Sequence, residues 1–158
     1  MRITSSSEYG MRIMIQMSHQ REGKSLSAEN LSQMENIPRY YMDQILMKLR
    51  RAKLVASLRG ARGGFVLGRS PARISVGDVI RAVEGKVVEG KVFDETCKKY
   101  DHGSQMCCHT SRCSIRPVWL RLAQTIENFL NDISLAQLLH QEPRVLALLR
   151  RQPPVLLK

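Results

Sequence analysis

The chain has 158 residues, with 25 Lys and Arg against 14 Asp and Glu for a formal net charge of +11, so it holds one modest domain, or a small domain with an oligomerising arm. Such a cationic surplus favours a polyanionic partner: DNA, RNA or an anionic membrane surface. No apolar window is long enough to span a bilayer and the opening MRITSSSEYG lacks the apolar core of a secretory leader, which argues against a membrane protein and for a cytoplasmic one.

Thr4 or Ser5 can cap a first helix over about residues 6–19, on which Tyr9, Ile13 and Met17 recur at four-residue steps and mark one apolar face. Glu8 falls in its first turn, where a carboxylate meets the positive end of the helix dipole. The polar connector REGKSLS leads to a short second helix with Ser27 as its cap, Glu29 in its first turn and an end near Asn36. Pro38 suits the first position of a third helix, because its missing N–H would go unpaired there anyway. Tyr41, Ile45, Leu46 and Leu49 are its expected buried stripe, and it should run to about Ala52. Two short helices joined by a tight turn, with a first helix packed behind them, make a helix-turn-helix. The exposed face of the third helix is expected to carry Arg39, Tyr40, Asp43, Gln44, Lys48 and Arg51, a mostly basic set whose Gln can bond adenine bidentately. A merely solvated helix face has a similar composition.

Next, LVASLR, GARGG and FVLG read as two short strands joined by a Gly-rich turn, a wing. Arg59 and Arg62 bracket Gly60, and such a basic tip fits a phosphate backbone or a minor groove; an ordinary basic hairpin is the plainer alternative. A nucleotide-binding glycine loop fits less well, since no GK[ST] follows. Ser75 to Val83 forms another short helix, with Ser75 and Asp78 spaced as a capping box, and closes a small domain over residues 1–85.

Residues 86–116 then carry an irregular connector and a cysteine-rich loop. All four cysteines, Cys97, Cys107, Cys108 and Cys113, lie within seventeen residues along with His102 and His109. The loop has too few apolar residues to pack itself, so a metal or cluster on its sulfurs is the natural organiser. A loop with unused thiols and a disulfide hairpin are the alternatives, although the adjacent Cys107 and Cys108 make simple pairing awkward. In a reducing cytosol, clustered cysteines are more often ligands or redox sensors than structural bridges.

From Pro117 the residues Trp119, Leu122, Ala123, Ile126, Phe129, Leu130 and Ile133 recur at steps of three and four along a long helix. That stripe is expected to bury itself against a second copy of the chain; folding back on its own domain is the alternative. Ser134 with Gln137 caps a last short helix, so the arm covers residues 117–140. The tail, residues 141–158, mixes Leu, Arg and Pro and reads equally as a docked helix or a disordered basic end.

The strings MRITSSSEYGMRIMI, YYMDQILMKLRRAKLV, SLRGARGGFVLG, ISVGDVIRAVEG and LNDISLAQLL, set around a cysteine loop, make the chain resemble the Rrf-type (IscR/NsrR-like) iron-sulfur winged-helix transcription regulators over about residues 1–140. The resemblance implies a homodimer on double-stranded operator DNA with one iron-sulfur cluster per subunit, 2Fe-2S or 4Fe-4S. The family's three cysteine ligands match Cys97, Cys107 and Cys113, with Cys108 as an alternative to Cys107. The gap from Cys97 to Cys107 is longer than in the compact family loop. One branch of the family has a fourth ligand, His, where this chain has Arg116, which cannot ligate. Another takes a carboxylate from the first helix of the partner subunit, a position matched by Glu8. The resemblance also puts base contacts on Tyr40, Asp43 and Gln44 and a minor-groove contact on Arg59; a carboxylate facing base edges accepts from cytosine and is penalised elsewhere, so Asp43 would act as a filter between operator classes.

The expected architecture is therefore mainly α with a small β-wing: a winged helix-turn-helix domain plus a long dimerisation helix. The expected function is a regulator whose DNA affinity responds to the cluster, as a sensor of redox state, nitric oxide, iron or cluster supply. It needs no membrane and no small-molecule substrate. A zinc or thiol switch using Cys107, Cys108, His109 and Cys113 is the second reading. A redox enzyme or cluster carrier is the third, disfavoured because no Ser-His-Asp, phosphate-loop or two-spaced cysteine arrangement is present.

Overall fold

A computed structural model of the chain describes residues 4–20, 24–60, 63–85 and 114–151. Its elements are α1 (Ser5–Ser18), α2 (Ala28–Glu35), α3 (Arg39–Arg51), β1 (Val55–Leu58), β2 (Gly64–Leu67), a 3-10 turn at Pro71–Arg73, α4 (Val76–Glu84), α5 (Ile115–Asp132), a second 3-10 turn at Leu135–Leu139, and α6 (Glu142–Arg151). This is the expected winged helix-turn-helix, mainly helical with an antiparallel two-stranded wing.

Each boundary has a local cause. Thr4 accepts the Ser6 N–H to start α1, and Ser27 accepts the Asn30 N–H at 3.0 Å to start α2. Asn36, in the left-handed region at φ 51, stops α2. The Ile37 N–H then returns to the Ser32 carbonyl at 3.0 Å while Ser32 Oγ donates to the Ile37 carbonyl at 2.6 Å, so the turn into α3 is held from both sides.

The core gathers Ile13 and Met14 of α1, Leu31 of α2, Met42, Ile45, Leu46 and Leu49 of α3, and Val79 and Val83 of α4. One expected core position is corrected: Met42 is fully buried, whereas Tyr41 is 50% exposed. Tyr41 lies on the flank of the stripe, where its ring meets Tyr9 and Tyr40 edge-on at centroid distances of 6.5 and 5.7 Å. An aromatic with a polar tip favours such a half-wet position, and the flexible Met fills the interior instead.

In the wing, Val55 pairs with Leu67 and Leu58 with Gly64. Leu26, just before α2, adds one rung to Phe65 through bonds of 3.0 and 2.8 Å, which ties the wing root to the reading domain. Gly64 permits this approach, since it has φ +153 and a Cβ there would lie 2.7 Å from the Leu26 carbonyl oxygen.

Helix α5 starts two residues earlier than expected and ends at Asp132. Ile133, expected on its stripe, is instead extended, and its carbonyl accepts the Val76 N–H at 2.9 Å. The Leu135 N–H donates to the Ile74 carbonyl at 2.7 Å, so the end of α5 is stitched to the start of α4. Ile115, Val118, Trp119, Leu122 and Phe129 of α5 remain 40–54% exposed. Part of the tail is helical, as α6. Among the described residues no helix is long and apolar enough to cross a membrane.

Helix α4 begins with a full capping box: Ser75 Oγ accepts the Asp78 N–H at 3.0 Å and Asp78 Oδ2 accepts the Ser75 N–H at 3.2 Å. Partial burial opposes the Asp78 charge. The Ser75 N–H, the Arg81 hydrogen bond at 3.0 Å and the charges of Arg81 and Arg69 outweigh it and hold the carboxyl below its ordinary 3.8. A depressed carboxylate stabilises the fold above its unfolded pKa, and the contribution disappears as pH falls through the folded one. Asp78→Ala is thus expected to destabilise the fold by about 1 kcal/mol at neutral pH, with the gap to wild type closing in denaturant titrations below about pH 4. At Gly10, where an added Cβ would already sit 3.0 Å from Val83 Cγ1, Gly10→Val should lower unfolding free energy by roughly 1–3 kcal/mol through overpacking.

Candidate nucleic-acid interface

The outer face of α3 presents Tyr40, 69% exposed, with Arg39, Asp43 and Arg51 exposed and Gln44 half-buried. Met47 and Arg50 are exposed on the same helix. Met47 is easily passed over because it is apolar, yet it continues the 40, 43, 44, 51 spacing of that face. Lys48, expected on that face, is half-buried. Its ammonium donates to the Val83 carbonyl at 2.7 Å, satisfying an orphan acceptor at the end of α4.

At the leading end of α3, Arg39 is held by two carboxylates. Its Nε donates to both oxygens of Asp43 at 3.0 Å and its Nη1 to Glu29 Oε2 at 2.9 Å. These hydrogen bonds, Asp43 first and Glu29 second, raise the guanidinium pKa further above its ordinary value despite some desolvation. Glu29 was legible in the sequence only as a first-turn acid, because its partner stands ten residues away across the turn.

At the wing tip, Arg59 and Gly60 are exposed and Gly60 has φ +105. The Gly63 N–H donates to the Gly60 carbonyl at 2.8 Å, and a Cβ on Gly63 would lie 2.7 Å from that oxygen, so this turn excludes side chains at its crossing point. Arg62 lies outside the described residues.

Glu8 is exposed on α1, its side chain 61% accessible, with Arg12 Nη1 3.7 Å from Oε1. Arg12 is shared: Nε donates to Glu35 Oε2 at 3.0 Å, Nη2 to the Glu35 carbonyl, and the guanidinium lies 6.0 Å from the Tyr9 ring centroid. The neighbouring Ser7, buried, donates to Glu84 Oε1 at 3.1 Å, and Thr4 Oγ1 donates to the same oxygen. The start of α1 is thereby fixed to the last residue of α4, from which the chain continues toward the cysteines. Cys97, Cys107, Cys108, Cys113 and His109 lie outside the described residues. Among the described residues no three His, Cys, Asp or Glu are grouped to hold a metal ion.

Comparison with known proteins agrees with this geometry. The Rrf2 family model, described as an iron-dependent transcriptional regulator, matches residues 3–141. The chain is 34% identical over 152 residues to the HTH-type transcriptional regulator IscR of Vibrio atlanticus, a match covering 96% of this chain and 82% of that protein. Among solved structures, CymR, described as the global cysteine regulator of B. subtilis, aligns with a TM-score of 0.67 at 29% identity over 88% of this chain and 96% of CymR. IscR of T. potens aligns at 0.66 and 27%, over 88% and 86% of the two chains. The chain therefore belongs to the Rrf2 family of DNA-binding transcriptional regulators, and it is not an enzyme.

Proposed function

We propose that this chain is a homodimeric, cytoplasmic regulator whose affinity for operator DNA is set by an iron-sulfur cluster, one per subunit. Four cysteines within seventeen residues carry this reading. Cys97, Cys107 and Cys113 supply thiolates, Cys108 stands as the alternative to Cys107, and Glu8 of the partner subunit supplies a carboxylate. Soft sulfur with one hard, more easily displaced oxygen suits iron in a sensor. The accessible Glu8 carboxylate, paired among the described residues with Arg12 at 3.7 Å, is compatible with that role. When bound, the cluster would supply a reversible change of charge and ligation. The chain's own residues would relay it, since α1 and the exit of α4 are joined at Ser7 and Glu84.

The exposed apolar residues of α5 support dimerisation, because a stripe of that size is stable in water when a second copy covers it. On DNA, Tyr40, Asp43, Gln44 and Arg51 would face the major groove with Arg39 at the leading end, while Arg59, Gly60 and Arg62 approach the backbone or minor groove.

A zinc or thiol switch at Cys107, Cys108, His109 and Cys113 is the second reading, favoured by three thiols and one imidazole that could form a tetrahedral set. Anaerobic purification should yield coloured protein with iron and acid-labile sulfide, and Glu8→Ala should alter its absorption and Mössbauer spectra. Colourless, iron-free protein after anaerobic reconstitution rejects the cluster, zinc without sulfide supports the switch, and an unchanged spectrum in the variant rejects Glu8. In gel shifts with the promoter region of its own operon, Gln44→Ala is expected to weaken binding by about 1–3 kcal/mol. Arg59→Ala should weaken binding and reduce the salt slope by about 1.

A further inference from the structure

The acidic pair at the head of α3 is unusual in a protein this basic. Arg39 is the first residue of α3 and so belongs to the end of a recognition helix that reaches base edges. There it is bound by Asp43 from its own helix and by Glu29 from α2, both at hydrogen-bond distance. Glu29 is itself steadied, because its other oxygen accepts from Gln33 Nε2 at 3.0 Å. All three charged side chains are about half exposed, 58% for Glu29, 51% for Arg39 and 54% for Asp43, so the group stands on the surface and is open to a ligand. Two carboxylates on one guanidinium leave a local charge of −1 within a chain of net charge +11.

We propose that Glu29 is a positioning residue for DNA selection, which keeps the Arg39 guanidinium on Asp43 and so withholds that cation from the DNA phosphates. The Arg39–Asp43 pair alone would be neutral, and Arg39 would be free to swing to a phosphate, a contact blind to sequence. With Glu29 present, the head of α3 repels phosphate and presents Asp43 as an acceptor, satisfied by a cytosine or adenine amino group and penalised opposite other acceptors. Exposed pairs are weak, so the hold is one that a matched base edge can rearrange. This inference rests on α3 being the DNA-facing helix.

The test compares wild type, Glu29→Gln, Arg39→Gln and the double variant by salt titration on a promoter duplex and a scrambled duplex of equal length. Glu29→Gln should steepen the log K against log salt slope by about 0.9, an extra fall of about 3.5-fold between 50 and 200 mM salt. It should also lower the promoter-to-scrambled ratio. In the Arg39→Gln background the same substitution should change neither. An unchanged slope, or an equal change in both backgrounds as expected from added charge alone, overturns the proposal. Gln44→Ala separates the two levels of inference. If it leaves promoter selectivity intact, the α3 reading falls and takes the Glu29 role with it. If it reduces selectivity while Glu29→Gln does nothing, only the Glu29 role falls.

Discussion

The close approach of α1 to α4 at Gly10 is the constraint on which the other elements depend. With only hydrogen on that Cα, the helices come near enough for Val79 and Val83 to cover the backbone. Ser7 and Thr4 can then reach Glu84. The last turn of α4 becomes a meeting point. It receives α1 through Ser7 and Gly10, receives α3 through the Lys48 bond to the Val83 carbonyl, and launches the segment that bears the cysteines. A displacement of that turn cannot leave the reading helix where it was, because close-packed interiors transmit shifts and do not absorb them. Under the proposed function, this turn is the described element through which a change in the cysteine segment would reach α3.

The two charge scales of the molecule act differently. Its overall positive charge draws it to DNA at long range and is screened by salt. The contacts at the head of α3 are local, and there the balance is reversed. On the proposal made above, attraction and discrimination fall to different residues, the first to scattered Lys and Arg, the second to Glu29, Arg39 and Asp43.

Much of the fold was readable from local chemistry. Ser27 and Ser75 announce their helices because a hydroxyl satisfies an otherwise orphan N–H wherever the chain enters a helix. The wing follows from glycine spacing between two β-prone runs. The misreadings share one origin, since periodicity locates a face without saying which neighbour will cover its edges. Tyr41 and Met42 stand side by side at such an edge, where Tyr41 meets the Tyr9 ring at the surface and Met42 fills the core. Nothing in the sequence around Lys48 reveals the carbonyl of Val83 that its ammonium meets. Ile133 matched the α5 stripe by position, but tertiary bonding to Val76 ended the helix first. For the candidate site, the exposed α3 face is legible by residue type and the cysteine set lies outside the described residues, whereas the Glu29 contact depends on how two helices cross.

The bridge between Ser75 and Ser134 also bears on how such a protein can change over evolution. It joins the start of α4 to the residues just after α5, so the chain between Ser75 and Ser134 is closed at its two ends. The entropy of closing a loop grows only logarithmically, about 0.6 kcal/mol for each doubling of length. By that measure, lengthening the chain between Cys97 and Cys107 adds little to the cost of this closure. The spacing of the cysteines can thus change along the sequence at little cost to closing the chain between Ser75 and Ser134.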